Sequence, residues 1–95
     1  MDFQISSQRI WLEDAQGNEI AFVAFPAVTE HTVKIVSTVV DPSLRGQGVA
    51  NALLEKLTHE LRATGKTAVP LCSYAVSWFE KHPEENDLLY TQAPK

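Results

Sequence analysis

The segment Thr32 to Val40, TVKIVSTVV, is β-branched everywhere except Lys34 and Ser37. Such side chains crowd the preceding turn of a helix but sit well on a pleated surface. The segment is therefore expected as one central strand. Asp41-Pro42 stops it, because proline has no N–H with which to continue a ladder. A few residues later come Arg45, Gly46 and Gly48, and then Ala50, Leu53, Leu54, Leu57 and Leu61 recur at helical spacing. A β-branched strand thus passes, across two glycines, into an amphipathic helix expected over 47–64. Every other element has to pack around that handover.

Upstream, Arg9 to Asp14 alternates Ile10 and Leu12 with polar neighbours, as a half-buried strand does. The turn residues Ala15 to Asn18 lead into a second strand, Glu19 to Pro26. With 32–40, these strands make an antiparallel meander. Downstream, Gly65 is placed to close the long helix in a left-handed conformation. KTAVPLCS, 66–73, reads as a short strand in which Pro70 marks an edge or bulge. SYAVSWFEKHP, 73–83, reads as a second helix, with Ser73 as N-cap, Pro83 as stop and Ala75, Val76, Trp78 and Phe79 on one face. A short turn and tail, 84–95, end the chain. Trp11, Phe22, Phe25 and Trp78 are expected in the core.

The order β-β-β-α-β-α reads as an α/β (α+β) fold: a mostly antiparallel sheet, the strand after the long helix parallel to the strand before it through a right-handed crossover, and packed helices. A ligand belongs where the two parallel strands end at their carboxyl sides, beside the start of the helix. The 95 residues are expected to form one domain, 1–95. The net charge of −4 argues against a nucleic-acid surface, which needs clustered Lys and Arg. The single Cys72 excludes an internal disulfide and a cysteine-rich metal site. MDFQISSQRI lacks the basic start and apolar run of a signal peptide, and no apolar stretch approaches a membrane span of about 18 residues. A cytoplasmic protein without metal or membrane partner is expected.

At the handover, the glycines have two readings. They either permit a tight strand-to-helix turn or bare the first helical N–H groups to an anion, with Arg45 adding positive charge. No Lys-Ser/Thr pair follows Gly48, so this is not a P-loop, and Gly46-Gln47-Gly48 lacks the third glycine of a dinucleotide fingerprint.

The hexapeptide RGQGVA, 45–50, resembles the R/Q-x-x-G-x-G/A acyl-CoA signature of the GCN5-related N-acetyltransferases (GNATs), with Arg45, Gly48 and Ala50 at its defined positions. VPLCS and the later HPE segment stand at distances similar to those of a small single-domain branch of that superfamily, from about Gly17 to Leu89. The resemblance implies a minimal GNAT-like fold, its mostly antiparallel sheet holding a splayed parallel strand pair, with acetyl-CoA as acyl donor and an amine as acceptor. It implies coenzyme contacts at Thr38, Val39, Val40, Arg45, Gly46, Gln47, Gly48, Val49, Ala50, Cys72, Ser73 and Phe79. The diphosphate would lie on the amides of 47–50, and the pantetheine arm along the backbone of 38–40 as a pseudo-strand. An N–H near Val40 would face the developing oxyanion.

The chain departs from the family at the catalytic acid. The pattern N-xx-A-xxx-Y-E-K falls on 72–81, so the tyrosine is replaced by Phe79 and the asparagine by Cys72. Ser37-Thr38 stands where the small branch often has His-Thr. Cys72 becomes the candidate catalytic residue, either accepting the acetyl group or returning a proton to the leaving thiolate. Its alternative is a small packing residue. Glu30, His31, His59 and His82 are the remaining candidates for a base. The expected function is acetyl transfer from acetyl-CoA to an amine of a small molecule or protein; the alternative is a non-catalytic acyl-CoA-binding module. The chain is short of the N-terminal helices that usually build the acceptor pocket, so a homodimer partner could complete it.

Overall fold

The computed structural model describes residues 2–90; the tail expected over 91–95 lies outside the described residues. The chain runs β1 (Gln4–Ile5), β2 (Arg9–Glu13), β3 (Glu19–Ala24), β4 (Thr32–Ile35), β5 (Ser37–Val40), α1 (Val49–Thr64), β6 (Thr67–Pro70) and α2 (Ser73–Lys81). One 3-10 turn, Pro42–Leu44, joins β5 to the approach of α1, and another, Pro83–Leu88, follows α2. β1 is an edge strand beyond those expected, paired antiparallel to β2.

The main correction concerns the β-branched segment. It is two strands that change partners at Val36. β5 pairs antiparallel with β3 in a four-stranded sheet of order β1-β2-β3-β5, whereas β4 pairs in parallel with β6. The cause is local. Val36 N–H donates to Ala24 C=O at 3.1 Å, while Ser37 is also the register partner of Ala24. Two residues therefore oppose one, which is a β-bulge, and the inward-facing parity shifts there. Val33 and Ile35 point into the core before it, and Thr38 and Val40 face the helix side after it.

α1 lies on the sheet with Val49, Leu53, Leu54, Leu57 and Leu61 buried against Ile10, Ala21 and Val23. Burying each large aliphatic side chain contributes roughly 1.5–3 kcal/mol, so this helix-sheet interface is the main source of stability. Gly65 ends α1 in the left-handed region, as expected, with its N–H donating to the carbonyls of Leu61 and Arg62. α2 buries Ala75, Trp78 and Phe79 but leaves Val76 39% exposed, so Val76 is not on the buried face. Its N-cap is Cys72 rather than Ser73. The N–H groups of Leu71 and Cys72 both donate to Ile35 C=O, at 2.9 and 3.0 Å, which turns the chain into the helix one residue early.

Phe25 and Trp78 are buried as expected, whereas Trp11 and Phe22 are only partly covered. They are register neighbours on the sheet face turned away from α1, in one row with Val39. The Arg9 guanidinium lies 4.2 Å above the Phe22 ring and pairs with Glu19. No helix among the described residues is long and apolar enough to cross a membrane.

Candidate functional site

Between the end of β5 and the start of α1 lies a cleft of about 230 Å³, lined by Val40, Arg45, Gly46, Gly48, Asn51 and Tyr74 among others. The approach to it is built by Asp41. Its carboxylate accepts from Ser43 N–H at 3.0 Å, and this bond holds the carboxyl below its ordinary range. The chain then passes through Gly46 (φ 81°) and Gly48 (φ 74°), both left-handed, before the helix begins at Val49. L-residues adopt that backbone only at a cost of about 1–2 kcal/mol. A Cβ built on either glycine would meet nothing within 4 Å. The backbone therefore calls for glycine, and the side on which side chains would project is open space.

The N–H groups of Gly46, Gly48, Val49, Ala50 and Asn51 find no acceptor among the described residues; the first intrahelical bond beyond them is Ala52 N–H to Gly48 C=O at 3.0 Å. Gln47 differs from the expectation for the cradle, because its N–H donates to Leu44 C=O at 3.3 Å. The free donors sit at the positive end of a 16-residue helix. Arg45 is exposed and forms no ion pair among the described residues. Chemically, such a corner can receive an anion.

The second half of the site is the parting of the strands. Asp41 N–H donates to Ile20 C=O at 2.8 Å. The antiparallel alternation then directs the main-chain groups of Val39 towards β3 and those of Thr38 and Val40 to the opposite edge. Among the described residues no strand follows β5 on that edge. Across the opening, Thr38 Oγ1 and Cys72 Sγ are 3.4 Å apart. Cys72 is partly buried, at the N-cap of α2.

The structure thus brings Thr38, Val40, Arg45, Gly46, Gly48, Val49, Ala50 and Cys72 to one end of the crossover. Val39 keeps its main chain on β3 and its side chain 49% exposed, and Ser73 is exposed at the first turn of α2. Phe79 is 3% exposed, edge-on to Trp78 at 5.1 Å, and does not line the cleft. Neither Glu30 nor any histidine lines it: His31 is exposed in a turn beside Glu30, His59 is exposed on α1, and His82 stacks on Trp78 at 4.0 Å. Among the described residues no three His, Cys, Asp or Glu side chains gather as metal ligands would.

Three lining residues escaped the sequence reading, Leu44, Asn51 and Tyr74. Asn51 had a signal, being a polar residue in the first turn of the helix beside the glycines. Tyr74 had none, because its placement depends on how α2 packs. Partial burial raises its phenol above the ordinary value, so it stays protonated at neutral pH.

Fold and cleft together describe a mixed α/β protein with a corner of free main-chain donors at the carboxyl ends of a parting strand pair. A sequence profile described as GCN5-related N-acetyltransferase matches residues 9–88, and the chain belongs to that family. Among solved structures it is similar to a GCN5-like protein from Staphylococcus aureus, at 23% identity and TM-score 0.78, covering 97% of this chain and 90% of that one. It is also similar to a GNAT-family N-acetyltransferase from Escherichia coli in complex with CoA, at 26% identity and TM-score 0.63, covering 75% and 43%. A Mycobacterium tuberculosis protein in complex with CoA matches at 20% identity and TM-score 0.64, covering 80% and 47%. The chain spans less than half the length of those two CoA complexes. A comparison with curated proteins finds no match.

Proposed function

We propose that the chain binds acetyl-CoA in the cleft and transfers its acetyl group to an amine. The observation that carries this reading is the set of partnerless N–H groups at Gly46 and at Gly48 to Asn51, beside Arg45 and next to a strand edge left unpaired among the described residues. The diphosphate rests on the amides of Gly46, Gly48, Val49 and Ala50. The pantetheine arm lies along β5, its amides pairing with the main-chain groups of Thr38 and Val40 as an added strand. CoA complexes of similar proteins from E. coli and M. tuberculosis support the choice of ligand.

The acceptor amine attacks the thioester carbonyl, and the Val40 N–H stabilises the oxyanion. As the C–S bond breaks, the departing thiolate takes the proton of the Cys72 thiol. The ammonium formed on the acceptor loses its proton to Cys72, directly or through Thr38 Oγ1, which restores the thiol. The products are an N-acetyl amine and CoA. One free thiol suits a reducing compartment, the cytoplasm.

A second reading, a module that binds acyl-CoA without turnover, is favoured by Phe79. The side chain at that position is an apolar ring packed in the core, with no proton to give. The test is an acetylation assay with acetyl-CoA and a panel of amines, on the wild type and on Cys72→Ala. The catalytic reading expects kcat to fall about 100-fold or more in Cys72→Ala, with CoA affinity within twofold. Undiminished turnover removes the thiol from the mechanism. CoA binding with no turnover of any amine favours the module.

A further inference from the structure

α2 reaches the cleft through Tyr74, which lines it, and through one hydrogen bond. Trp78 is 4% exposed, and its indole N–H donates to Asn51 Oδ1 at 2.7 Å. An indole nitrogen can only donate. The Asn51 amide is therefore held with its oxygen towards Trp78; the flipped amide would set NH2 against N–H and leave a buried donor without a partner. Trp78 is itself fixed. His82 stacks on the indole at 4.0 Å, with Nδ1 hydrogen-bonded to Trp78 C=O at 2.7 Å, and Phe79 meets it edge-on.

Holding the oxygen this way turns the Asn51 Nδ2 donors away from Trp78. Asn51 is the third residue of α1, its side chain leans towards the helix start, and it lines the cleft with Gly46 and Gly48. We propose that Asn51 is a coenzyme-binding residue that donates from Nδ2 to a diphosphate oxygen, and that Trp78 is the positioning residue that sets its orientation. This deepens the acetyl-CoA reading of the cleft and rests on it. The rim of the cleft is thereby tied to the packing of α2, so a neutral amide adds its donors to those of the backbone.

The competing role for Asn51 is only to satisfy the indole. The charge-free Trp78→Phe separates the two roles, because an Asn51 that served only the indole would leave CoA affinity unchanged there. Asn51→Asp tests whether a negative oxygen is tolerated at the phosphates. The carboxylate still accepts from Trp78, but it offers the phosphates a negative oxygen in place of a donor. Calorimetry should show CoA affinity at least tenfold weaker in Asn51→Asp, with a melting temperature near that of the wild type. Inorganic pyrophosphate should displace CoA from the wild type and compete at least tenfold less well in the variant. Trp78→Phe keeps an aromatic ring and leaves Asn51 free to rotate; it should weaken CoA binding about three- to tenfold, and it serves as the test if Asn51→Asp does not fold. Combining the two changes should cost little more affinity than Asn51→Asp alone. Affinity within twofold of wild type in Asn51→Asp, or in Trp78→Phe, overturns the proposal and leaves the acetyl-CoA reading standing. So does equal competition by pyrophosphate. A wild-type chain that does not bind CoA removes both.

Discussion

Two glycines at opposite ends of one helix make a matched pair of perturbations. Gly48 (φ 74°) precedes α1 and Gly65 (φ 69°) follows it; both are left-handed, and a Cβ on either would meet nothing within 4 Å. Alanine at either position takes on about 1–2 kcal/mol of left-handed strain. A stiffer unfolded chain offsets roughly 0.4–1 kcal/mol of that. The net loss is then about 1 kcal/mol for each variant, which lowers the melting temperature of a chain this small by about 4–8 °C. Their effects on CoA should diverge. Gly48 lines the cleft, so a new methyl on it should hold a phosphate oxygen beyond the reach of about 3.2 Å that an N–H requires. Losing one charge-assisted bond costs about 1.5–3 kcal/mol, or about 10- to 100-fold in affinity. Gly65 lies a helix length away, about 24 Å, and its variant should bind CoA as the wild type does. Thermal denaturation and calorimetry on both variants decide the matter. Equal stability loss with equal CoA affinity would refute the cradle; a stable Gly48→Ala would refute the strain.

Leu54 is fully buried between α1 and the sheet, so Leu54→Ala should cost about 2–5 kcal/mol and lower the melting temperature by at least about 8 °C. An unchanged melting curve would mean that α1 does not pack as described. Asp41 is held below its ordinary value of 3.8 by the Ser43 N–H. Its contribution is therefore complete above that value and is lost as pH falls through the lower folded one. Stability measured from pH 6 down to pH 2 should decline less in Asp41→Asn than in the wild type over this acid range, and identical profiles would remove the turn from the account.

Elements that depend on local periodicity were legible. Leu53, Leu54, Leu57 and Leu61 announced α1, Gly65 its end, and the glycines with Arg45 the corner where the cleft opens. The partner switch at Val36 was not. A bulge shows in a sequence as a break in two-residue alternation, but Val33, Ile35, Val36, Val39 and Val40 are apolar on both sides of it, so no parity was visible to break. The same blindness assigned Trp11 and Phe22 to the core: alternation places them on one face without saying that α1 covers the other. The Cys72 N-cap and the Thr38–Cys72 and Asn51–Trp78 contacts join residues 34 and 27 positions apart, which no local pattern reports.

The bulge is also what makes the cleft. Without the extra residue, β4 and β5 would be one strand, β6 could pair along its whole length, and Thr38 and Val40 would have their main-chain groups satisfied by a neighbour. With it, the parallel ladder ends at Ile35 C=O, where Leu71 and Cys72 complete the last bonds. Beyond that rung the two chains part, one to β3 and the other into α2. An open strand edge invites pairing with other chains, and here it is kept to four residues, ended by Pro42. The same departure aims the start of α1 at the gap, so main-chain donors of the strand edge and of the helix face one space from two sides. On the proposed acetyl-CoA reading, filling in only one of the two sets would leave half of the binding contacts, so that reading has the bulge at Val36 and the glycines at 46 and 48 serve one site.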